Sequence, residues 1–91
     1  MKRSTRGGGL TIISPLSFPL ALLDGRTIET IGDAANHLAH VPERELGQYH
    51  WTVAVRMLDH ALTEPAYLKT ATICFQTALA MQGVLAGPLK S

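Results

Sequence analysis

A chain of 91 residues has room for one domain, and its single cysteine excludes an intrachain disulfide as a source of stability. The formal charge of +1 belongs to the ends: between residues 10 and 89 four basic residues meet seven acidic ones, a net −3. A body of that sign lacks the basic face by which duplex-binding domains displace counterions, so nucleic acid is not an expected partner.

Residues 1–9 are basic, polar and end in three glycines, the composition of a disordered leader. Residues 10–85 are expected to form a single α+β domain, and residues 86–91, with the Gly87-Pro88 breaker, a flexible tail. The basic start and the apolar stretch after it have the outline of a secretory signal. Pro15 and Pro19 interrupt that stretch, small residues are missing before Asp24, and it is too short to span a bilayer. A β-strand accounts for it better. The expected location is the cytoplasm, where a lone reduced cysteine is ordinary, with no membrane as partner.

The first element is a hairpin. Phe18, Leu20 and Leu22 alternate on one face, Asp24-Gly25 supplies a pair that tolerates positive φ in a tight turn, and Ile28 lies on the return strand. Pro19 cannot donate to a ladder, which confines it to an edge or to the strand's start. Residues 10–14 have the pattern of another short strand, cut off by Pro15. Thr30 and Asp33 then have the spacing of a capping box. Ala34, Ala35 and Leu38 mark an apolar helical stripe, which Pro42 ends near His40 or Val41.

A longer helix starts between Glu43 and Tyr49, its first turn weakened by Gly47, and runs to about Leu62. Leu46, His50, Val53, Met57 and Ala61 repeat at intervals of three and four, and Trp51, Ala54, Leu58 and Leu62 widen the stripe. Arg56 and Asp59 are spaced to pair on its wet face. Thr63-Glu64-Pro65 breaks and restarts the chain. The last helix carries Leu68, Ala71, Cys74, Phe75, Ala78 and Leu79, with Gly83 as its C-terminal cap. So short a break predicts that the last two helices pack as an antiparallel pair. The expected fold is therefore α+β: a two-stranded antiparallel β-hairpin packed on three α-helices.

The order of these residues resembles a family of small, mainly rhizobial and other alphaproteobacterial proteins known as domain of unknown function 982. The resemblance rests on Phe18-Pro19-Leu20, Gly25, Ile28, Ala34 with Leu38, Val41-Pro42, Leu58 with Ala61-Leu62, and Ala71, Phe75 and Ala78. It spans roughly residues 18–85, and it implies the same architecture without implying a chemistry. Two positions depart from the family pattern: Val41 stands where members show a tryptophan, and Thr72 follows Ala71 where they often show an arginine.

Groups capable of chemistry do not assemble into a motif. His37 and His40 are three residues apart, a spacing that brings two imidazoles to one helix face, but a third ligand would have to come from His50, His60 or Cys74. The bland reading puts both at the margin of the buried face. Cys74 sits between Ile73 and Phe75 with no cation to activate it and reads as a small core residue. The serines lie outside any nucleophile elbow, the glycine run lacks the following Lys-Ser/Thr of a phosphate loop, and the carboxylates belong to turns and caps. No catalytic, cofactor-binding or metal residue is singled out. Tyr49 and Trp51 are two of only five aromatics and cannot face one seam; either Trp51 packs inside with Tyr49 in a contact, or both cover the edge of the core.

A core this small favours self-association, so the expected protein is a non-catalytic interaction or regulatory module, a homodimer with an unidentified protein partner. Two rivals stand against it: a helix-turn-helix DNA-binding regulator centred on Pro42, and a small metal-dependent enzyme using His37 and His40.

Overall fold

A computed structural model describes residues 10–90, so the expected leader at residues 1–9 lies outside the described residues. The fold is α+β. Strands β1 (Pro15–Ala21) and β2 (Thr27–Thr30) form a two-stranded antiparallel sheet, followed by helices α1 (Ile31–Leu38), α2 (Glu43–Leu46), α3 (Tyr49–Thr63) and α4 (Leu68–Gln82). Where three helices were expected there are four, because Gln48 turns to an extended backbone (ψ 151°) after Gly47 and cuts off Glu43–Leu46 as a single turn with no buried residue.

Leu16, Leu20 and Leu22 are buried and Phe18 half-buried, so the alternation read from the sequence extends one residue pair toward the N-terminus. The two strands are not evenly paired. Pro15 faces Thr30, Leu20 faces Ile28 and Ala21 faces Thr27, so β1 bulges between its first and second registered pairs. Pro19, which has no N–H to give, falls in the bulge, and the Ser17 N–H instead reaches Thr72 Oγ1 on α4 at 3.2 Å. The hairpin loop also differs from the two-residue turn expected. Gly25 N–H bonds to Leu22 C=O at 3.0 Å and Leu22 N–H to Arg26 C=O at 2.8 Å. That makes a three-residue loop of Leu23, Asp24 and Gly25, with Gly25 at φ +93° supplying the left-handed step.

Residues 10–14 form a turn rather than a strand, with Ser14 N–H on Thr11 C=O. Their carbonyls serve α1, whose first amides have no partner within the helix. Ile31 N–H bonds to Ser14 C=O, Gly32 N–H to Ile12 C=O at 2.8 Å, and Asp33 N–H to Thr30 Oγ1. A Cβ at Gly32 would stand 2.9 Å from the Ile12 carbonyl oxygen, so glycine is what lets the two backbones meet. The capping box is complete, with Asp33 Oδ2 accepting from Glu29 and Thr30 N–H at 3.0 and 3.2 Å.

Helices α3 and α4 pack together across a three-residue 3-10 turn, Pro65–Tyr67. Trp51, Ala54, Leu58 and Ala61 of α3 and Ala71, Phe75, Ala78 and Leu79 of α4 are buried in the common core, where Trp51 and Phe75 meet edge to face. The fully buried residues of α3 come from both parts of the stripe read from the sequence, Ala61 from the first and Trp51, Ala54 and Leu58 from the residues that widen it, while His50, Val53, Met57 and Leu62 are half-buried beside them. Trp51 is far larger than its neighbours and takes the centre. Among the described residues five of the fifteen buried apolar side chains are alanine, so the core is small in volume as well as in number.

Residues 86–90, expected as a flexible tail, are tied back to the sheet. Leu23 N–H bonds to Val84 C=O, Ala86 N–H to Ala21 C=O at 2.8 Å, and Leu22 pairs with Leu85 in an antiparallel bridge. Gln76, buried on α4, donates from Nε2 to Lys90 C=O and accepts from Lys90 N–H at Oε1, both at 2.8 Å. Gly87, at φ +81°, turns the chain between these two anchors, which is what the Gly-Pro pair achieves here in place of release.

Replacing Gln76 by Ala removes both bonds and leaves a small void, which should cost about 1–3 kcal/mol. A lowered urea midpoint together with faster hydrogen exchange at the Lys90 amide would register it. The cap makes a pH prediction. The N–H groups of Glu29 and Thr30 hold the Asp33 carboxyl below its ordinary 3.8 in the folded chain. A lowered folded-state value means stability that is present above the ordinary value and lost as pH falls through the lowered one. Asp33→Asn should therefore be less stable than wild type near neutrality, and thermal unfolding should show the difference closing as the pH drops below about 4.

Candidate functional site

Helix α1 places His37 one turn beyond Ala34, on the face that meets the helical pair, and the imidazole is buried. Its ring stacks on Trp51 with centroids 5.9 Å apart and meets Phe75 edge-on at 6.1 Å; Trp51 and Phe75 meet edge to face at 5.4 Å. His37 Nε2 lies 3.3 Å from Gln82 Oε1, so Nε2 donates. The Gln82 amide in turn reaches Glu45 Oε1 at 3.5 Å. A short polar line thus runs from the aromatic centre to the surface at α2.

Two buried polar atoms on this cluster, His37 Nδ1 and Trp51 Nε1, have no hydrogen-bond partner among the described residues. Such groups are costly in a dry interior, and they show the aromatic packing to be strong enough to carry them. With one ring nitrogen buried and the other engaged by Gln82, His37 has no free atom to offer a substrate. The cluster packs the interior.

His40 is exposed, and its Nδ1 donates to the Asn36 carbonyl at 2.8 Å, so it caps the end of α1 and does not converge with His37. His50 lies against Trp51 and His60 against Tyr67. Among the described residues no three His, Cys, Asp or Glu side chains are grouped closely enough to hold a metal ion. The sequence reading puts His37 at the margin of the core; the structure puts it inside. Its place one turn from Ala34 is the available signal, and polarity masks it.

The carboxylates occupy local roles. Asp24 accepts from the N–H of Arg26 and from its guanidinium at 2.7 Å, contacts that lower its pKa from the ordinary value. That is the one ion pair among the described residues, and it is exposed. Arg56 and Asp59, expected to pair with each other, do not. With the cation N-terminal to the anion, their order opposes the helix dipole, which weakens such a pair.

Beside a polar hollow of about 530 Å³ lined by Arg44, Glu45, Gln48, His50, Met81 and Gln82, the surface carries two apolar grooves. One groove of about 440 Å³ is walled by Ile31, Ala35 and Leu38 of α1 and by Val55, Leu58 and Leu62 of α3, with Thr52, Arg56 and Asp59 completing the α3 side. A second, of about 260 Å³, lies between α3 and α4 and is lined by Tyr49, Val53, Ile73, Cys74 and Met81 among others. Trp51 is fully buried while Tyr49 is 83% exposed, so Trp51 packs inside and Tyr49 does not cover the core. Ile12, Ile13 and Met81 are also largely exposed.

No protein-family model, curated protein or solved structure matches the chain. No helix among the described residues is long and apolar enough to cross a membrane.

Burial pushes the Cys74 thiol up from its ordinary value, and no cation is among the causes. Alkylation of the folded protein by iodoacetamide at neutral pH should run about tenfold or more slower than alkylation of the urea-unfolded chain, followed by intact mass.

Proposed function

We propose that this protein is a non-catalytic interaction or regulatory module that associates with itself, acts in the cytoplasm, and belongs with the domain of unknown function 982 family. The observation that carries the reading is the apolar surface left open by a small core: two grooves lined mainly by aliphatic and aromatic side chains, and exposed Ile13 and Tyr49 at 80% and 83%. Exposed apolar surface that is contiguous and concave is the mark of a contact surface, and a domain with so little buried volume gains stability by covering it. The family assignment is supported by the packing residues alone: Leu20, Ile28, Ala34, Leu58, Ala61, Ala71, Phe75 and Ala78 are all buried.

In such a module the hairpin and helices act as a scaffold for a surface, and activity resides in what that surface holds. Sedimentation velocity across the micromolar range tests it. The expected mass rises with concentration toward twice the 9.8 kDa of one chain. A mass fixed at 9.8 kDa in a thermally stable protein overturns the reading.

A further inference from the structure

Resting on that self-association, we propose that the groove between α1 and α3 is the contact, and that its occupant is a second copy of the chain, docked antiparallel along α3 about a two-fold axis. The argument is one of charge. Thr52, Val55, Arg56 and Asp59 recur at three- and four-residue spacing and form one outward face of α3, with Arg56 and Asp59 on the groove. Both are exposed, and neither makes an ion pair or a side-chain hydrogen bond among the described residues. An apolar groove carrying one free cation and one free anion attracts neither an acidic nor a basic partner. It is complementary to itself.

A two-fold contact requires that if residue i meets residue j of the partner, j meets i. Two α3 helices crossing antiparallel with the axis between positions 57 and 58 bring Arg56 against Asp59 of the partner subunit, and Asp59 against Arg56 of the partner subunit. Both ions are then satisfied by one symmetry operation. Val55, 41% exposed on the same face, is covered by the same movement. The α3/α4 groove is lined by no carboxylate, lysine or arginine, so nothing in it selects an orientation or a register.

Charge reversal supplies a test with an internal rescue. In Arg56→Glu both symmetry-related pairs become two anions, and in Asp59→Arg both become two cations, so each variant alone should dimerise about tenfold or more weakly than wild type. Mixed in equal amounts, R56E and D59R set the introduced carboxylate of one chain opposite the introduced guanidinium of the other. The native Asp59 of the first variant then faces the native Arg56 of the second, and a dimer containing one chain of each should form. The double variant R56E/D59R should dimerise by itself. Sedimentation velocity on the full chains measures all four, with circular dichroism to show that these exposed substitutions leave the fold intact. If wild type dimerises and the single variants do so equally well, or if the mixture fails to rescue, this surface is wrong while self-association stands. A wild type that stays monomeric overturns both.

Discussion

Trp51 of α3 and Phe75 of α4 meet edge to face, and four fully buried alanines on the same two helices, at positions 54, 61, 71 and 78, keep the side-chain bulk of the pair small. Helix α1 contributes His37 as a third ring, stacked on Trp51, and so is held at the angle where its capping box and the N-terminal turn can meet. Helix α4 then offers its other side to the sheet, where Thr72 takes the amide that the β1 bulge leaves over. A larger residue at any of the four alanines would separate the helices and loosen the contacts that depend on their distance.

This dependence also explains why two polar nitrogens can stay unpaired in the interior. The aromatic trio buries a large area at fixed ring geometry, and moving His37 or Trp51 to find a partner would forfeit more contact than the bond would return. The polar line through Gln82 to Glu45 is a partial compensation, reaching one side of the imidazole only.

Much of this is legible in the chain. Period-two alternation marks β1, the Thr30–Asp33 spacing marks the cap, and the Thr63-Glu64-Pro65 break marks the paired helices. What is not legible depends on tertiary partners. Periodicity finds the broad stripe of α3 without saying which of its residues are fully buried, because it weighs positions equally, whereas packing weighs them by volume. His37 reads as marginal because a polar side chain counts against burial until its neighbours are known. The return of residues 86–90 depends on Gln76, whose amide finds its partner fourteen residues on, and no local pattern announces that. The apolar grooves are likewise products of how α1 and α4 lie on α3 and are invisible to spacing.

Gln76 recognises Lys90 through main-chain atoms only, and the partner at Ala21 is also backbone. Apart from Gly87, whose left-handed backbone favours glycine, side chains between the two anchors are therefore free to change, while the number of residues between them is not. Gain or loss of a single residue there would move a different peptide unit under the Gln76 amide and put the left-handed step out of phase with both anchors. Natural variation in this stretch is accordingly expected to consist of substitutions, with insertions and deletions confined to positions beyond Lys90.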